Sequence, residues 1–95
     1  SSLMLELFPD DFEDVLTFGV PDPYWGSKIV SFVRMRPGKK LMETKELRRR
    51  CKGTMAEYEI PKEILEWEGP WPMTVVGKMD FKALEKALEE RLEGR

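Results

Sequence analysis

The sequence predicts an α+β domain, a small sheet of about three strands with helices packed on it. Three observations carry this. Segments with a helical apolar repeat alternate along the chain with short runs of two-residue period. Turn signals separate them, at Pro9-Asp10-Asp11, Pro21-Asp22-Pro23, Pro37-Gly38 and Gly69-Pro70-Trp71-Pro72. The chain has 95 residues, 41% hydrophobic and 36% charged, which suits one core and one domain over residues 1–95.

Each element follows from its local pattern. From Ser2 to Phe8, Leu3/Leu7 and Met4/Phe8 repeat at i,i+4 and form one helical stripe. Val15–Val20 is a short, β-rich apolar run closed by two prolines. Lys28–Arg36 alternates, with Ile29, Ser31, Val33 and Met35 on one face and Val30, Phe32 and Arg34 on the other. Because both faces are apolar at its middle, this strand is expected at the centre of the sheet. Thr44 to Met55 reads as a helix, with Leu41, Leu47, Cys51 and Met55 as the apolar stripe and Lys45, Arg48, Arg49 and Lys52 in water, and Gly53 marks a kink or an early end. Ala56–Pro61 is a loop in which Pro61 holds Ile60 extended. Glu63–Trp67 is a third strand, and Met73–Lys78 a loop. Asp80 caps a last helix, Phe81–Leu92, whose Leu84 and Leu88 repeat at i,i+4.

Composition removes several classes of function. There is no His and only one Cys, Cys51. A Ser-His triad, an internal disulfide and a zinc site built by this chain are excluded, and no metal site is expected. No apolar run approaches the ~20 residues of a membrane span, no signal sequence opens the chain, and a reducing, cytoplasmic setting is expected. The length leaves no room for a complete ATP-using enzyme. Net charge is −2, but it is arranged in blocks: −6 over residues 1–27, +8 over 28–52 and −4 over 53–95. The basic block could face a phosphate-bearing ligand or be a solvated helix face. A pI of 5.3 argues against nucleic acid as the partner. The paired carboxylates Asp10-Asp11 and Glu89-Glu90 lack the apolar setting that general acid-base chemistry needs.

Two features remain as sites. Gly77-Lys78 is not a P-loop, because the spacing back to Gly69 is wrong and Met79 replaces the hydroxyl that binds Mg²⁺. It is either an ordinary surface Lys or a cation on a mobile loop, deliverable into a partner's pocket. Trp25 and Tyr58 lie in polar, turn-rich loops, where they either stack on a base such as adenine or cover the edge of the sheet. Trp71, between two prolines, is expected to pack against the domain or its neighbour.

Read in order, the loops form a set: Val20-Pro21-Asp22, Trp25-Gly26, Pro37-Gly38, Leu47 with Cys51, Tyr58-x-x-Pro61, and Pro72-x-Thr74-x-x-Gly77-Lys78 with Leu84. This set resembles the C-terminal domain of the adenylate-forming, AMP-binding enzymes of the acyl- and aryl-CoA synthetase type, across essentially the whole chain. The resemblance implies a swivelling lid on a larger N-terminal domain of the same enzyme. That domain and its hinge lie outside the sequence and would bind most of the ATP, CoA, Mg²⁺ and the carboxylic acid. It further implies that Lys78 is catalytic in acyl-adenylate formation, and that Thr74 and Gly77 of its loop are cofactor-binding. Trp25, Gly26 and Tyr58 would lie near the CoA nucleotide, and the isolated fragment would be inactive. A carrier-protein-loading adenylation domain, or a non-catalytic interaction module, are the alternatives. Three positions depart from the family pattern: Glu59 replaces the Lys of Y-K-x-P, Val76 the Ser/Thr before Gly-Lys, and Lys82 is the substitute available for an Arg common after the catalytic Lys.

Overall fold

A computed structural model describes residues 3–94. The order is α1 (Leu3–Leu7), β1 (Phe12–Asp22), β2 (Gly26–Met35), α2 (Thr44–Cys51), a 3₁₀ turn (Glu57–Glu59), β3 (Glu63–Glu66) and α3 (Phe81–Glu93). The three strands form one sheet in the order β1-β2-β3, β1 antiparallel and β3 parallel to β2. The α+β architecture and the central place of β2 are as the alternation predicts. Ser2 of the first predicted helix lies outside the described residues.

The two faces of β2 each own a core. On one, Val33 packs with Met4, Phe8 and Phe12, with Leu47 and Cys51 of α2, and with Ile60 and Ile64. On the other, Val30 and Phe32 pack with Val20, Leu65 and the α3 pair Leu84 and Leu88. The helices therefore cover both sides of the sheet. A buried Ser31 is tolerated because its hydroxyl meets Thr17 Oγ1 at 2.7 Å.

Two boundaries differ from expectation by three residues or more, for identifiable reasons. The second helix ends at Cys51 rather than Met55, because Gly53 takes φ +90°, a left-handed conformation that closes the helix. The first strand begins at Phe12, three residues before the apolar run, because pairing to β2 extends it through polar Glu13 and Asp14. A register shift falls between Phe12 and Asp14: Phe12 faces Met35, but Asp14 faces Arg34. The extra residue places Phe12 on the α2 side, while Asp14 stays in step with Leu16 and Phe18 on the α3 side. Asp80 caps α3 as predicted, its Oδ1 accepting from the Ala83 amide at 3.1 Å.

Candidate functional site

The first site is a hairpin built by residues 72–80. Met73 and Met79 form an isolated antiparallel bridge, and the Asp80 amide donates to the Pro72 carbonyl at 2.9 Å. Inside, Thr74 does most of the holding. Its amide donates to the Lys78 carbonyl (2.7 Å), its carbonyl accepts from Gly77 (3.0 Å), and its hydroxyl accepts from the Lys78 amide (3.2 Å). Gly77 has φ +81°, which a side chain would resist, so the turn needs glycine at that position. The tip is bare: Val75 and Val76 are 105% and 74% exposed, and Lys78 is exposed. None of the ion pairs among the described residues includes Lys78. Its ammonium is thus presented on a backbone that Thr74 and Gly77 fix.

The second site is an open groove of about 530 Å³ lined by Trp25, Ser27, Lys28, Ile29, Glu57, Tyr58, Ile60 and Lys62. The structure brings Trp25 and Tyr58 onto it together. Neither covers a sheet edge: they are 67% and 81% exposed. Trp25 owes its place to the β1–β2 turn. Asp22 Oδ1 accepts from the amides of Tyr24 (2.9 Å) and Trp25 (2.7 Å), and Gly26 takes φ +84° opposite Asp22. Those amides, the Trp25 one foremost, hold the Asp22 carboxyl below its ordinary range, with a smaller contribution from Lys28. Tyr58 rides on the 3₁₀ turn, which Glu59 caps by accepting from the Ala56 amide at 2.8 Å. The acid in place of the family's Lys therefore serves its own turn.

Sequence reasoning missed three contributors. Arg48, expected in water, reaches across from α2. It donates to the carbonyls of Ile60 (3.2 Å) and Pro61 (2.6 Å) and to Glu57 (3.0 Å), pinning the segment that carries Tyr58. Lys62 stands 5.6 Å over the Trp25 ring. Tyr24 meets Trp25 edge-on at 4.8 Å. The doubled Tyr-Trp in the turn was the available signal for the last; nothing local announces Arg48.

The basic block is not one cationic face. Lys28, Arg34, Lys39, Arg48, Arg49 and Arg50 all sit against carboxylates. Arg49 and Arg50 hold Glu46 down to about 2. Of the block, only Lys28 lines the aromatic groove. Cys51 is fully buried, and burial pushes its thiol up, away from nucleophilic chemistry. Among the described residues no three His, Cys, Asp or Glu side chains converge on a metal position, and no helix is long and apolar enough to cross a membrane.

A sheet with helices on both faces, a Lys-tipped hairpin and a separate aromatic groove define a domain type, and comparison identifies it. Residues 9–78 match the AMP-binding enzyme C-terminal domain, and the chain belongs to that family. It is 37% identical over 71 residues to the mitochondrial malonate–CoA ligase of Homo sapiens, covering 75% of this chain and 12% of that protein. It is 31% identical over 80 residues to the mitochondrial medium-chain acyl-CoA ligase of Rattus norvegicus, covering 84% and 13%. A crystal structure of an acyl-CoA synthetase from Brucella canis superposes with a TM-score of 0.68 at 26% identity, over 90% of this chain and 16% of that one. The chain spans about one eighth of the length of these two curated relatives.

Proposed function

We propose that this domain is the swivelling C-terminal lid of an ATP-dependent acyl- or aryl-CoA ligase, and that Lys78 is its catalytic contribution. The observation that carries the reading is the hairpin: an exposed, unpaired ammonium on a backbone locked by Thr74 and Gly77. The relatives' names, a malonate–CoA and a medium-chain acyl-CoA ligase, support the reaction class.

The chemistry suits one fixed cation. A carboxylate oxygen attacks the α-phosphorus of ATP, the acyl-adenylate bond forms, and pyrophosphate leaves. Two anions must approach, and charge shifts between them as the bond forms. With the lid closed in one orientation, Lys78 stands at that point, close to both. A positioned donor of this kind contributes about 3–4 kcal/mol, or 10²–10³ in rate. Mg²⁺ would neutralise phosphate charge, and in this reading its site belongs to the larger N-terminal domain.

In the second half-reaction the CoA thiol displaces AMP from the acyl carbon. For this step the lid turns its other site inward. Trp25 and Tyr58 offer π-faces to the CoA adenine, and Lys28 and Lys62 offer cations to its phosphates. The groove favours CoA over a carrier protein as acceptor, because a carrier brings its thiol without an adenine to stack.

The test separates the half-reactions in the full-length enzyme. Lys78→Ala lowers acyl-adenylate formation by about 10²–10³ and spares thioester formation from supplied acyl-adenylate. Equal losses in both steps would refute the two-face assignment.

A further inference from the structure

We propose that Trp71 and Asp14 are positioning residues for Lys78: an indole–carboxylate clasp that roots the hairpin in the sheet. The proposal rests on the function given above to Lys78. The Trp71 indole N–H donates to Asp14 Oδ2 at 2.7 Å, a half-buried bond between residues 57 positions apart in sequence. Strand register makes it possible. Asp14 pairs opposite Arg34, in step with Leu16 and Phe18, on the side of the sheet where Trp71 packs; the irregularity lies before it and sends Phe12 to the other face.

Trp71 is held by each strand in turn. Asp14 reaches it from β1. The Arg34 guanidinium of β2 lies 6.0 Å over its ring and is itself paired with Glu13 at 3.2 Å. Trp67, just beyond β3, packs against it at 6.0 Å and donates its own indole N–H to the Pro70 carbonyl at 2.9 Å. The next residue, Pro72, closes the hairpin through its carbonyl on the Asp80 amide. The clasp is thus one residue from the base of the loop whose tip carries Lys78. Both Asp14 oxygens are committed, since Oδ1 accepts from the Val15 amide at 2.9 Å. An Asn there offers a single acceptor oxygen in place of these two. A lysine that must meet two anions at one point depends on such an anchor, because a misplacement of ~1 Å can cost up to 10²-fold in rate.

The test uses the full-length enzyme with Trp71→Phe, which keeps a ring and removes the N–H, with Asp14→Ala, which keeps the indole, and with both together. Each single change lowers acyl-adenylate formation about tenfold, and the double change lowers it no further than the worse single one. Thioester formation from supplied acyl-adenylate is unchanged. Trypsin cuts after Lys78 faster in each variant, relative to its cut at Lys39 in the Pro37-Gly38 turn. Unchanged cleavage at Lys78, equal losses in both half-reactions, or losses that add in the double variant would each overturn the clasp. Lys78→Ala run in parallel separates the two readings. Full adenylate formation in Lys78→Ala overturns the proposed function. Its loss there, with full activity in Trp71→Phe and Asp14→Ala, overturns the clasp alone.

Discussion

At the Lys78 hairpin the chain holds the stem and leaves the tip bare; at the Trp25–Tyr58 groove it does the reverse. The hairpin stem is hydrogen-bonded at Pro72, Thr74 and Asp80, while Val75, Val76 and Lys78 reach into solvent. In the groove the floor comes from β2 and the Ile60–Lys62 segment, and the exposed groups are large rings that rest on neighbours: Trp25 between Tyr24 and Lys62, Tyr58 on a capped turn. The first arrangement delivers one charge to one point. The second offers area. Under the proposed function, the difference predicts that damage at the hairpin falls on the rate of one chemical step, and damage at the groove on the affinity for one substrate.

Four experiments break or sharpen that contrast. Lys78→Ala has the largest effect, the 10²–10³ loss in acyl-adenylate formation; a change in KM with kcat intact would remove the contrast. Trp25→Ala and Tyr58→Ala come next. Base–aromatic stacking contributes ~1–3 kcal/mol, so each raises the KM for CoA about tenfold and leaves that for ATP alone. Should the ATP value move instead, the groove faces a different ligand.

Arg48→Met is smaller and tests what supports the groove. It strands the carbonyls of Ile60 and Pro61 and frees Glu57, at a cost of about 2 kcal/mol. A thermal melt shows this as a lower Tm, and the KM for CoA rises while acyl-adenylate formation holds. Loss of stability with both kinetic constants intact would show that Arg48 pins the segment without shaping the groove. The smallest effect is the pH response of the β1–β2 turn. Asp22 is depressed in the folded chain, so its contribution is complete above the ordinary carboxylate value of 3.8 and is lost as pH falls through the lower folded value. The amide resonances of Tyr24 and Trp25 should therefore shift together in acid, below pH 3.8. Shifts centred at or above that pH would mean the carboxylate is not holding the turn.

Much of this was legible in the residues. The alternation of Lys28–Arg36, apolar on both faces, placed the central strand. Leu84 and Leu88 at i,i+4, with Asp80 before them, placed the last helix and its cap. Gly77 marked the hairpin turn. These are local signals: a period, a cap, a backbone conformation closed to other residues. The basic block of residues 28–52 was misleading by the same token, because counting charges along the chain does not show which acids stand opposite them. Glu13, Asp11, Asp22 and Glu57 come from other segments to pair with four of its cations, Arg34, Lys39, Lys28 and Arg48.

The sequence by itself determined the elements and their order and singled out the residues of the two proposed sites, since each of these depends on neighbours within a few positions. Only the tertiary structure decided which of those residues meet. It put Trp25 and Tyr58 on one groove, turned Arg48 inward, and brought Asp14 of β1 to Trp71 from 57 positions away. The physical reason is common to all three. Each pairing joins segments brought side by side by strand register and by packing on the two faces of the sheet, and neither is written at any single position in the chain.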